Sequence, residues 1–181
     1  GFYDTPGSAY GVAVAGNTTY VADGSNGLRI INVVNPGAPI EIGSYDTPGY
    51  AYGVAVVRDY AYVADGPSGL RIINTTNSVE VGFYDTLGWA GDVVVMGNYA
   101  YAADGKGGSV ILWFAPPASI SIPVSGGSLT SSVDNTAYTF PAGAFTDTVV
   151  ITHTARFSGN APTSGNLVNI GHVFEMTTFF I

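Results

Sequence analysis

The chain repeats itself, and this restricts its fold more than any other feature. Gly1-Phe-Tyr-Asp-Thr-Pro-Gly returns as Gly43-Ser-Tyr-Asp-Thr-Pro-Gly and again as Gly82-Phe-Tyr-Asp-Thr-Leu-Gly, at intervals of 42 and 39 residues. Residues 1–32 and 43–74 align without a gap and are identical at 23 of 32 positions. Such a period means one supersecondary unit made several times and stacked on itself. The third copy, 82–117, keeps Tyr-Asp-Thr and Ala-Asp-Gly but replaces Gly-Leu-Arg-Ile-Ile with Gly-Ser-Val-Ile-Leu, the mark of a terminal copy.

Inside a unit the pattern is that of strands. Tyr10–Val14, Thr19–Ala22, Leu28–Asn32 and Ile40–Tyr45 are short β-rich runs separated by Gly, Asn, Asp and Pro, with no helical period between them. The 25 Gly and 10 Pro of the 181 residues also work against long helices. Each unit therefore predicts about four strands, and a four-stranded unit of ~40 residues has the size of a β-propeller blade. Tyr-Asp-Thr-Pro-Gly-x-Ala-Tyr-Gly-Val-Ala-Val, followed by Tyr-Val-Ala-Asp-Gly-x-x-Gly-Leu-Arg-Ile-Ile-Asn, resembles the LVIVD repeat over residues 1–117. That resemblance implies a propeller-like fold and an extracellular or cell-surface setting, and it implies no catalytic residues. Closed propellers have about four to eight blades, so three leave strand edges that something must cover.

After Ala115-Pro-Pro-Ala118 the composition shifts to alternating Ser, Thr and Val. The expected organisation is all-β: three four-stranded blade-like repeats (1–42, 43–81, 82–117) and a β-sandwich-like domain over 118–181. Thr139-Phe-Pro-Ala-Gly-Ala-Phe145, with Gly126-Gly-Ser-Leu129 upstream, resembles ZU5-like modules of surface proteins. Residues 174–181 form an apolar run that needs a pairing partner.

Composition excludes several functions. Thirteen acids against five scattered bases give a net charge of −8, which disfavours nucleic acid. There is no cysteine, and so no disulfide, thiolate metal site or cysteine nucleophile. Prolines and glycines break the longest charge-free stretch, so no membrane-spanning helix is expected.

Asp23, Asp65 and Asp104 recur in Ala-Asp-Gly turns. Their carboxylates are candidates for a calcium ladder, against the simpler reading of an Asp capping its own hairpin turn. Asp4, Asp46 and Asp85 recur in Tyr-Asp-Thr while Arg29 and Arg71 recur in Gly-Leu-Arg-Ile-Ile, which suggests a repeated Asp–Arg contact at the seams. His153 and His172 are the only imidazoles, and a metal there needs a third ligand such as Glu175 or Asp147. No nucleophile elbow or distinctive carboxylate pair points to an enzyme. Asn17 and Asn74 begin Asn-x-Thr sequons open to glycosylation on export. Twelve tyrosines with Trp89 and Trp113 suit either blade packing or contact with glycan and protein.

The expectation is thus a non-enzymatic extracellular structural protein that associates with copies of itself, in its sharpest form a surface filament built by β-augmentation. The alternative is a piece of a larger secreted propeller acting as a glycan- or protein-binding adhesion module.

Overall fold

The computed structural model describes residues 1–114, 118–122, 124–130, 137–143 and 149–153. Among these the only helical element is one 3-10 turn, Gly105–Gly107, and the rest of the regular structure is strand. They fall into two compact units, Gly1–Trp113 and the residues from Phe114 onward.

In the first unit each repeat folds as one antiparallel meander. Blade 1 is β1 (Gly11–Ala15), β2 (Thr18–Ala22), β3 (Leu28–Asn32) and β4 (Ile40–Tyr45), hydrogen-bonded in that order. Blade 2 repeats it with β5 (Gly53–Val57), β6 (Tyr60–Ala64), β7 (Leu70–Asn74) and β8 (Val79–Tyr84). The copies agree even in their irregularity: the third and fourth strands slip register between Ile30 and Ile31, and again between Ile72 and Ile73. That bulge bends the outer strand where sequence period alone would keep it straight.

Blade 3 holds β9 (Asp92–Met96), β10 (Tyr99–Ala103) and β11 (Ser109–Trp113). The strand next in sequence, β12 (Ala118–Ile122), pairs with β15 (Val149–His153) in the second unit. The chemistry of the outer strand explains the difference. Glu41 and Glu80 on β4 and β8 stand 3.3 and 3.9 Å from Arg29 and Arg71 on the neighbouring strands. In blade 3 the arginine is Val110, and β12 reads Ala-Ser-Ile-Ser-Ile with no glutamate, so neither half of that pair exists. The second unit also pairs β13 (Gly127–Thr130) with β14 (Ala137–Phe140).

The core lies between blades rather than within one. Tyr20, Ala22, Leu28 and Ile30 of blade 1 pack with Ala51, Val54, Ala61, Val63 and Ile73 of blade 2. One face of each sheet therefore meets the opposite face of the next, as in a stack of repeats whose apolar faces cannot be buried alone.

Candidate functional site

Each seam is held by a clasp built from the repeated words of the sequence. The stretch Tyr45-Asp-Thr-Pro-Gly49 carries the chain from β4 of blade 1 to β5 of blade 2. Thr47 Oγ1 donates to Asp65 Oδ1 at 2.5 Å, and the Gly49 amide donates to Asp65 Oδ2 at 2.8 Å. The same pair of bonds joins Thr5 and Gly7 to Asp23 at 2.6 and 2.8 Å. Thr86 and Gly88 bond Asp104 in the same manner. All three aspartates are fully buried. On the other side of the linker, Gly27 has φ +67°, and a Cβ there would stand 2.2 Å from the Tyr45 carbonyl oxygen. Only glycine fits both the left-handed backbone and that approach.

This changes the role read from the sequence. An Asp capping its own hairpin explains one turn, whereas each carboxylate here reaches back 16 and 18 residues to hold the entry to its blade. Both oxygens of each accept from Thr and Gly donors. Among the described residues no three His, Asp or Glu side chains converge as a metal site. Burial pushes the Asp65 carboxyl above its ordinary value, and the bonds from Thr47 and Gly49 and the charge of Arg71 work the other way. Arg29 and Arg71 Nε lie 3.8 and 3.9 Å from the carboxylates, too far for hydrogen bonds, and neither Nε has a hydrogen-bond partner among the described residues. The expected seam ion pair appears as Arg71–Asp85 at 2.8 Å. Arg29 instead faces Glu41 and Asp23.

Backbone bridges close each seam. Gly24 exchanges both hydrogen bonds with Ala51, and Gly66 with Ala90. The first strands of adjacent blades come so close that a Cβ on Gly11 would stand 2.6 Å from the Tyr52 carbonyl oxygen, and one on Gly53 2.8 Å from Asp92 Cα.

An aromatic row crosses these bridges. The rings of Tyr10 and Tyr52 lie 5.0 Å apart at 48°, and those of Tyr52 and Trp89 5.7 Å apart at 53°. Tyr10 and Tyr52 are repeat equivalents, but their counterpart in blade 3 is Gly91. Trp89, from the position of Tyr50, reaches over to continue the row. Tyr10 and Trp89 are exposed. The tyrosine count suggested aromatic contacts without singling out this row; the Ala-Tyr repeated at Ala9-Tyr10 and Ala51-Tyr52 was its signal. Tyr62, in contrast, is buried, and burial pushes its hydroxyl up to about 12.

The remaining candidates lie apart. Asn17 is exposed in the β1–β2 turn, and Asn74 Oδ1 accepts from Thr76 of its own sequon at 2.7 Å. His153 ends β15; His172, Glu175, Asp147 and residues 174–181 lie outside the described residues. No described helix is long and apolar enough to cross a membrane.

A profile of the LVIVD repeat matches residues 6–47, 48–86 and 87–126. No curated protein matches the chain. Among solved structures, the computationally designed Ika4 protein matches at TM-score 0.40 and 8% identity, covering 64% of this chain and 96% of that one. The computationally designed Ika8 protein matches at 0.38 and 6%, covering 83% and 69%. Likeness this low carries neither fold nor function.

Proposed function

We propose that this chain, which belongs to the LVIVD-repeat family, is a non-enzymatic extracellular adhesion module of β-propeller type that meets glycan or cell-surface protein through its aromatic row. The observation that carries this reading is the row Tyr10–Tyr52–Trp89, contiguous across three blades and exposed at both ends. Amphipathic rings held on a rigid scaffold bind at low entropic cost, and a chain with only 10% charged residues suits neutral ligands. Titration with cell-wall polysaccharides and an oligosaccharide array, followed by tryptophan fluorescence, tests it. A saturable shift that Trp89→Ala abolishes is expected. No shift with any glycan or surface extract sinks the reading.

A second reading, a self-associating structural protein, is favoured by Val12, Val94 and Ile111, which are 66%, 61% and 51% exposed on blade faces. Light scattering and electron microscopy of concentrated protein decide it: regular assemblies support association, and a dispersed monomer removes it.

A further inference from the structure

We propose that the aromatic row takes one class of ligand: a proline-rich polypeptide segment in the polyproline II conformation, with a basic residue at its flank. This rests on the adhesion reading above and names the partner that the row recognises.

The shape of the row is the first support. Adjacent rings are tilted by 48° and 53° at centroid distances of 5.0 and 5.7 Å, so the row is ridged rather than flat. A chain of pyranose rings stacks best on aromatic faces that lie parallel to it. A polyproline II segment, with about three residues per turn, sets its rings into the grooves between tilted aromatics. The ridges rest against turn glycines. A Cβ on Gly24 would stand 3.1 Å from Tyr10 Cε2, and one on Gly66 3.2 Å from Tyr52 Cε2 and 3.3 Å from Trp89 Cε2. Row and ligand are thus both ordered beforehand, which lowers the entropic cost of binding.

The polar groups are the second support. Sugar hydroxyls call for planar polar side chains beside the rings. The carboxylates next to those glycines, Asp23 and Asp65, are fully buried, and both oxygens of each already accept from the clasp. What the row offers is donors: the hydroxyls of Tyr10 and Tyr52 and the indole N–H of Trp89 meet no acceptor among the described residues. A polyproline II backbone has no internal hydrogen bonds and proline has no N–H, so such a segment presents carbonyl oxygens with few competing donors.

Charge selects the flank. The chain carries 13 acids against 5 bases, which favours a cationic partner. Asp92 is exposed and lies close to the row, since a Cβ on Gly53, the residue after Tyr52, would stand 2.8 Å from Asp92 Oδ1. That oxygen accepts from the Val93 amide, and no cation pairs with the carboxylate among the described residues. A Lys or Arg beside the prolines meets it. The exposed Lys106 follows Gly105, where a Cβ would stand 3.5 Å from Trp89 Cβ. The basic flank therefore belongs on the Tyr52 side of the row, away from the turn that holds Lys106.

Calorimetric titration of the whole chain with peptides of equal length provides the test. One is proline-rich with a terminal Arg, one has Gln in place of that Arg, and one is a Gly-Ser segment that keeps the Arg. The first is expected to bind, the second about threefold more weakly, and the third not at all. Asp92→Asn is expected to erase the preference for Arg, as is high salt. Tyr52→Phe keeps the ring and is expected to weaken binding about threefold through the lost donor. Trp89→Ala is expected to weaken it about tenfold or more. Equal binding of the Gly-Ser peptide overturns the proposal, and an Arg preference that survives Asp92→Asn overturns the basic flank. A neutral oligosaccharide that binds at the row while the proline-rich peptides fail overturns the proposal and leaves the adhesion reading standing. If no peptide, glycan or surface extract binds, both fall.

Discussion

Blades 2 and 3 share one clasp and one five-residue turn, yet one outer face is buried and the other lies open. Leu70 and Ile72 are 0% and 3% exposed, whereas Ser109 is exposed and Ile111 is 51% exposed. The two copies differ at few positions that matter here: Gly53 against Asp92, Ala55 against Val94, Leu70 against Ser109 and Arg71 against Val110. None of these positions belongs to the Thr–Gly–Asp clasp. What makes a blade is therefore separable from what makes a seam. The clasp fixes the entry and the turn, and the face residues decide whether a neighbour can sit down.

Placing the blade 3 residue into blade 2 breaks that comparison most severely. Gly53→Asp drives a Cβ to 2.8 Å from Asp92 Cα and sets a second carboxylate beside Asp92. We expect a loss of about 4 kcal/mol or more in urea unfolding, with Tyr52 and Trp89 moving apart. Leu70→Ser follows at about 3 kcal/mol, because it leaves a cavity in a fully buried site and strands a hydroxyl there. A change below 1 kcal/mol for either substitution dissolves the distinction between seam and end.

Much of this was readable in the sequence. Alternating apolar residues between Gly-rich turns located the strands of blades 1 and 2 within a residue or two, since a period of two leaves few alternatives. The altered strand Ser109–Trp113 set the third copy apart from the first two, and in the structure Ser109 and Ile111 on that strand are exposed where Leu70 and Ile72 are buried. The clasp was hidden because Thr5 and Asp23 lie 18 residues apart. Local turn chemistry explains an Asp-Gly pair well enough to conceal a long-range role. That blade 3 has three strands among the described residues was equally obscure: β12 follows at the right interval, and the Glu–Arg pair of β4 and β8 has no counterpart on it.

The clasp itself supplies a smaller and pH-dependent effect. Asp65→Asn keeps the shape but cannot accept from both Thr47 and the Gly49 amide, and the expected cost near neutral pH is about 1–2 kcal/mol. Because burial raises the Asp65 pKa above 3.8, the folded protein binds that proton more tightly than the unfolded chain. Its contribution is fully present below 3.8 and is lost as pH rises through the folded value. Unfolding measured from pH 3 upward should therefore show a slope in the parent that Asp65→Asn removes. A parent whose stability rises with pH only as steeply as the variant, with no difference between them, contradicts the raised pKa.

The smallest effect is the most diagnostic of the open face. Ser109→Leu restores the residue found at this position in blades 1 and 2, where Leu28 and Leu70 are fully buried. In blade 3 the site is exposed, so the added side chain gains no contact that it lacked in the unfolded chain. The expected change in unfolding free energy is within about 0.5 kcal/mol, against the roughly 3 kcal/mol predicted for the reverse substitution at Leu70. The inequality matters more than either value, because strand propensity and residue volume change by the same amounts at the two sites. Only the presence of a neighbouring blade differs. A gain above 1 kcal/mol from Ser109→Leu means that something covers this face in solution.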